Sequence, residues 1–337
     1  MNKEQLRNTA NAMVQKGKGI LAADESNPTC GKRFDGIGVE STEMNRNTYR
    51  DLLFTTTGME EFISGVILFD ETLRQSTISD NAPFPQYLSG KGIIPGIKVD
   101  KGAKELAAHS GEKVTEGLDG LRERLSEYCK LGARFAKWRA VITIGDHIPS
   151  RHCIHTNAHA LARYAKICQE DGLVPIVEPE VLMDGDHDLE RCDRVTTMTL
   201  NTVFDELYAQ DVALEGMILK PNMVISGSDC KTQAGIDEVA ERTVQRLMRC
   251  VPAAVPGIMF LSGGQSEEDA TAHLNAMNAK FAPAPWKLSY SYGRALQQSC
   301  LKAWQGDARN VSAAQAVLLE RAQANSAACA GSYAKAA

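Results

Sequence analysis

Apolar residues gather in eight short runs: "GILAADES", "ISGVILFDET", "IIPGIKVDKG", "ARFAKWRAVITIG", "LVPIVEPEVL", "LEGMILKPNM", "PGIMFLSGGQ" and "WKLSYSYGR". They begin near residues 19, 63, 93, 133, 173, 214, 256 and 286. The intervals leave room for one strand and one helix each. Between the runs the apolar period lengthens to that of a helix. In "GIDEVAERTVQRLMRC", Ile236, Val239, Ala240, Thr243, Val244 and Leu247 form one stripe at three- and four-residue steps, with Asp237 placed to cap it. "SEEDATAHLNAMNA" opens with Ser266 and Asp269 at capping-box spacing. "NAHALARYAKICQEDG" carries Leu161, Tyr164, Ala165 and Cys168 on one face and stops at Gly172. "DGLRERLSEYCKLG" does the same with Leu121, Leu125, Tyr128 and Gly132.

Eight strand–helix units in succession predict the α/β class and a (β/α)8 TIM barrel. One domain spans residues 1–337, with a short C-terminal extension from about 325 to 337. The competing architecture is a doubly wound open sheet. It favours a Gly-rich turn after the first strand, and "AADESN" is not one.

Barrel active sites form at the C-terminal ends of the strands. Here those ends carry Asp24 and Glu25, Glu71, Lys98, Lys137 with Arg139, Glu178 with Glu180, Lys220, Ser262 with Gly263 and Gly264, and Arg294. A purely structural barrel needs few such groups, because an unpartnered buried charge costs several kcal/mol. Period-two geometry puts Phe135, Lys137 and Arg139 on one face and Trp138 on the other; Glu178 and Glu180 likewise share a face.

The fourth, fifth and sixth of these groups suggest a chemistry. A lysine at the end of an apolar strand can attack a carbonyl as the neutral amine and form a Schiff base. The protonated imine is then an electron sink for breaking or making a carbon–carbon bond. Burial and neighbouring cations such as Lys137 and Arg139 favour the neutral amine, and Glu178 and Glu180 are available for the proton transfers. Residue types alone leave Lys98, Lys137 and Lys220 open as the nucleophile. "LSGGQ" and the adjacent "YGR" with Arg294 suit a phosphate. Lys32, Arg33 and Lys98 form a second cationic group for another phosphate at the far end of a substrate.

Together these motifs resemble the class I, Schiff-base fructose-bisphosphate aldolases. "GILAADES", "PGIKVDKG", "ARFAKWR", "PIVEPE", "LKPNM", "FLSGGQSEE" and "SYGRALQ" run in the family order and cover nearly the whole chain. The resemblance implies a lyase that reversibly cleaves fructose 1,6-bisphosphate to dihydroxyacetone phosphate and glyceraldehyde 3-phosphate, in glycolysis and gluconeogenesis. It implies Lys220 as the Schiff-base lysine, Glu178 as acid/base and Glu180 as a modulator of local charge. Asp24 would stand by the C4 hydroxyl, and Lys137 and Arg139 would flank the reacting centre. Ser262, Gly263, Gly293 and Arg294 would hold the C1 phosphate; Lys98, Ser26, Lys32 and Arg33 would lie toward the C6 phosphate. It further implies a homotetramer, no cofactor and no metal, with cytoskeletal association as an additional role. Family members usually end in a mobile tail whose terminal tyrosine reaches the active site. This sequence ends in "AGSYAKAA", where Tyr333 matches a tyrosine that precedes the tail. The expectation is that cleavage persists while enamine protonation limits turnover. The stretch "AQANSAACAGS" is expected to be mobile, yet too short to bring Tyr333 to the barrel mouth.

Composition narrows the alternatives. A net charge of -5 and a pI near 5.9 speak against nucleic acid as a main partner. No run approaches a membrane span, and the N-terminus lacks the apolar core of a signal peptide. The nine cysteines contain no C-x-x-C pair and read as free thiols in a reducing compartment. The expected location is therefore the cytoplasm, a mature plastid form being the variant. Three rivals differ in kind: another Schiff-base sugar-phosphate aldolase, a non-catalytic scaffold, and a metal enzyme built on His152, His155 and His159.

Overall fold

The computed structural model describes residues 2–334. Among them are ten strands: β1 (Gly19–Ala23), β2 (Ile63–Leu68), β3 (Ile94–Lys98), β4 (Ala103–Glu105), β5 (Lys113–Thr115), β6 (Phe135–Ile142), β7 (Val174–Val181), β8 (Ile218–Leu219), β9 (Gly257–Phe260) and β10 (Lys287–Tyr292). Eight are parallel and close a barrel in the order β1-β10-β9-β8-β7-β6-β3-β2, while β4 and β5 form a separate hairpin. The helices are α1 (Lys3–Met13), α2 (Asn27–Asp35), α3 (Glu43–Phe54), α4 (Asp70–Leu73), α5 (Phe84–Gly90), α6 (Leu121–Lys130), α7 (Arg151–Glu170), α8 (Leu189–Ala209), α9 (Ile236–Cys250), α10 (Glu267–Lys280), α11 (Arg294–Trp304) and α12 (Val311–Cys329). The eight apolar runs are thus the eight barrel strands, and the open-sheet alternative is overturned by closure between β1 and β2. The hairpin had no apolar run to announce it, since all three residues of β4 are exposed.

Alternation sorts the core into two layers. Ile20, Ile67, Phe135, Ile176, Ile218 and Met259 fill the barrel interior and are fully buried. Gly96 makes room for the Phe135 ring: a Cβ there would lie 2.2 Å from it. Trp138 points outward to Tyr164 on α7, with ring centroids 5.5 Å apart. The N-terminal end of the barrel is closed by α1, whose Leu6, Ala10 and Met13 are wholly buried against the same interior cluster.

Several local expectations change. Gly235, not Asp237, is the N-cap of α9, and Ile236 is exposed because it starts the first turn outside the buried stripe. Ser266 does cap α10, accepting from the Asp269 N–H at 3.0 Å. The stretch "AQANSAAC" is the last part of α12 rather than a mobile segment. It is anchored through Ala322, Asn325 and Ala328, and the Asn325 Oδ1 accepts from Thr271 Oγ1 at 2.8 Å. The extension therefore begins after Cys329, not at 325. Tyr333 is tied by its N–H to Asn275 Oδ1 on α10 at 2.9 Å; residues 335–337 lie outside the described residues.

One buried histidine gives the fold an acid limit. His273 on α10 bonds through Nδ1 to Gln265 Oε1 at 2.7 Å, and burial holds its pKa down to about 4 from 6.5. The unfolded chain binds this proton more tightly, so stability falls as pH drops below about 6.5 and levels off below about 4. The contribution lost is on the order of 3 kcal/mol. Thermal unfolding from pH 7 to 4 should show a shallower acid slope in His273→Gln than in the parent; equal slopes would refute the assignment.

Candidate active site

The residues predicted for the site meet at the C-terminal ends of the strands. All fourteen of them line one cleft of about 370 Å³. Strand pairing explains the arrangement. β6 and β7 run side by side over eight residues, with Arg139 opposite Glu178, and Lys98 on β3 is opposite Lys137 on β6. Between β6 and β7 a cation therefore faces a carboxylate, whereas β3 and β6 set two lysines side by side, each paired with an aspartate.

At the centre, Lys137 Nζ lies 2.6 Å from Asp24 Oδ2 and 3.4 Å from Glu178 Oε2, while Lys220 Nζ lies 3.2 Å from Glu178 Oε1. One carboxylate thus sits between two ammonium groups. Burial would raise the Asp24 pKa, but Lys137 and Lys220 outweigh it and hold the carboxyl well below its usual range. Burial would lower Lys137, but Asp24 and Glu178 push it well above an ordinary lysine. Lys137 is fixed as a cation.

The two cations expected beside Lys220, Lys137 and Arg139, are both paired. Lys137 is held by two carboxylates, and the Arg139 guanidinium is engaged by Glu180. Glu180 is therefore tied to Arg139, one strand away. Glu71 also leaves the predicted ring. It lies on α4, where Arg46 grips both its oxygens and Asn27 Nδ2 donates to it at 3.2 Å.

The opposite wall suits an anion. Gly263 and Gly264 have φ of 59° and 99°, a left-handed backbone that favours glycine. A Cβ on Gly264 would stand 3.3 Å from Arg294 Nη2. Gly293 precedes α11, whose first turn directs N–H groups out of its N-terminus. Burial and the nearby Arg33 guanidinium both lower the Arg294 pKa from its ordinary value, and a bound anion would relieve each. Arg33 stands beside Gly293 and Arg294, its charge partly taken by Glu25, which Arg50 also holds at 2.7 Å. Lys98 is separate from this group, with Nζ 2.6 Å from Asp100 Oδ1. Ser26 Oγ lies 3.1 Å from Thr29 Oγ1.

Thr29 and Ser291 also line the cleft and were missed by sequence reasoning. Ser291 could have been found by period-two alternation along β10. Thr29 lies three residues after Ser26, one helical turn away. The histidines of α7 do not converge: His155 and His159 both meet Glu206, at 3.0 and 2.9 Å, while His152 stacks on His109.

Comparison with known proteins decides the family. The model of class-I fructose-bisphosphate aldolase matches residues 5–337. The chain belongs to this aldolase family. A probable class 1 fructose-bisphosphate aldolase of Xylella fastidiosa is 61% identical over 99% of both chains. A cytosolic aldolase of Arabidopsis thaliana is 56% identical, covering 94% of this chain and 80% of that protein. The crystal structure of the Plasmodium falciparum aldolase, solved with TRAP and a small-molecule inhibitor, superposes with a TM-score of 0.97 at 53% identity. The match covers 99% of this chain and 96% of that one. The activity is that of a class I fructose-bisphosphate aldolase, a glycolytic lyase acting on phosphorylated sugars. Among the described residues no helix is long and apolar enough to cross a membrane.

Proposed function

We propose that aldol cleavage proceeds through a Schiff base on Lys220. The observation that carries this reading is the shared carboxylate: Lys137 is gripped by both Asp24 and Glu178, whereas Lys220 meets Glu178 alone. Of the two central lysines, Lys220 is the one not locked between two carboxylates. Its neutral amine attacks the C2 carbonyl of the open-chain ketose. Glu178 takes the proton that Lys220 gives up and returns it to the hydroxyl as the carbinolamine loses water, leaving the iminium. Asp24, held as a carboxylate, accepts the C4 hydroxyl proton. The C3–C4 bond breaks, its electron pair passes into the iminium, and the aldehyde leaves behind an enamine. Protonation at C3 and hydrolysis release dihydroxyacetone phosphate and restore the lysine. Borohydride reduction with dihydroxyacetone phosphate, followed by peptide mass mapping, tests the assignment; label on Lys137 or Lys98 would overturn it.

In this reading the C1 phosphate binds at Ser262, Gly263, Gly293 and Arg294. Arg33 stands at this end too, which departs from its expected place toward C6, where Lys98, Lys32 and Ser26 remain. Arg294→Ala should raise KM for phosphorylated ketoses by about 10- to 150-fold, the worth of one charge-assisted hydrogen bond. Unphosphorylated fructose should be little affected, and equal losses on both would make Arg294 structural. A homotetramer, a cytosolic location like that in the name of the Arabidopsis thaliana relative, reverse flux in gluconeogenesis and cytoskeletal association complete the proposal. Sedimentation velocity distinguishes the tetramer from a monomer.

A further inference from the structure

The strand that leads to Lys220 is the shortest in the barrel. β8 pairs with β7 only at Ile176↔Ile218 and Val177↔Leu219. Two prolines explain the stop. Continuing the register sets Lys220 opposite Glu178, Pro221 opposite Pro179 and Asn222 opposite Glu180. The Lys220 N–H still donates to the Val177 carbonyl at 2.8 Å. The next donor in the ladder would be Pro179, which has no N–H. The next donor on the β7 side, the Val181 N–H, would in the same register reach the main-chain carbonyl of Asn222. Instead, Val181 N–H donates to the Asn222 side chain, at 3.1 Å from Oδ1.

The rest of that amide is occupied as well. Nδ2 donates to Thr196 Oγ1 on α8 at 3.1 Å and to the Met223 carbonyl at 3.0 Å. The residue is 5% exposed. Only Oδ1 can accept from an N–H, so the Val181 contact fixes which way the amide faces. The chain from Lys220 to Gly227 is buried but has no regular secondary structure. It is held to β7 at two points that bracket Glu178: the Val177 carbonyl before it and the Val181 N–H after it.

We infer that Asn222 is a positioning residue for the reaction: its side-chain amide replaces a missing main-chain rung and so holds Lys220 at working distance from Glu178. The inference rests on the assignment of Lys220 as the imine lysine. The two prolines free the main chain to deliver the lysine inward, and the asparagine recovers the rigidity they remove. A displacement of about 1 Å between reacting groups can cost on the order of 100-fold in rate.

The test compares Asn222→Ala, Asn222→Asp and Thr196→Val with the parent. The readouts are kcat, KM for fructose 1,6-bisphosphate, Tm, and the rate of borohydride-trappable imine formation from dihydroxyacetone phosphate. Asn222→Ala should slow trapping and kcat by about 10- to 100-fold. KM should stay within about threefold, because the phosphate contacts lie on other strands. Asn222→Asp keeps an acceptor for Val181 and should recover part of the trapping rate. Thr196→Val leaves the Val181 bond intact and should keep nearly full kcat. If alanine does not fold, Asn222→Ser, whose hydroxyl falls short of Val181, takes its place. A loss of Tm and of active fraction with an unchanged rate per trapped chain would overturn the inference. So would aspartate no better than alanine, or a Thr196→Val defect as large. Mapping the label in the parent separates the two readings: label elsewhere than Lys220 refutes the lysine assignment, whereas label on Lys220 at equal rates refutes only the role of Asn222.

Discussion

Lys220→Arg should abolish turnover and remove all borohydride-trappable adduct. Guanidinium stays protonated at any working pH, so it cannot attack a carbonyl. Its size and charge still suit the pocket beside Glu178, which keeps the buried carboxylate partnered and the barrel folded. The chemical step then has neither nucleophile nor electron sink. A loss of about six orders of magnitude or more is expected, the scale of enzymatic rate enhancement itself. Residual activity within about a hundredfold of the parent would point to another lysine or to a mechanism without an imine. Unchanged Tm in the same preparation guards against an unfolded variant.

Glu178→Gln should be the next most damaging change. Its two oxygens lie 3.2 Å from Lys220 and 3.4 Å from Lys137, and the side chain is nearly sealed from water. Removing the anion leaves Lys220 buried without the carboxylate that balances it. The nucleophile itself remains, so attack on the carbonyl is not the step that is lost. What fails is the proton supply to the departing hydroxyl. A loss of about 100- to 10,000-fold in kcat is expected, as for removal of a general acid/base. The trappable iminium should form slowly even though substrate binds. A kcat within about tenfold of the parent would move the proton-transfer role to another group.

The barrel was legible because each strand is an apolar run and each following helix has its own period. The inward face of β6 followed from Phe135, Lys137 and Arg139 two residues apart. The pairing of charges was not legible. Lys137 meets Asp24 across the mouth of the barrel, though β6 and β1 are not neighbours in the sheet. Only closure brings those two ends together, and no local pattern encodes closure distances. Glu71 shows the opposite failure: its position after an apolar run matched the others, but a short helix turned it toward Arg46. Asn222 stood in "LKPNM" without a role, because its significance depends on Pro179 in β7 and Pro221 just past the end of β8.

The closing of the lower barrel by α1 bears on traffic. With Leu6, Ala10 and Met13 packed into that end, the described residues make the reaction chamber a well closed at its base. Substrate enters and both products leave by the same opening. Under the proposed imine, one product stays tethered to Lys220 after the carbon–carbon bond breaks while the other is free. The untethered aldehyde must depart first, and in the direction of synthesis it must arrive last. The tether thus sets the order of release, while α1, at the opposite end of the molecule from the chemistry, fixes the side by which each product goes.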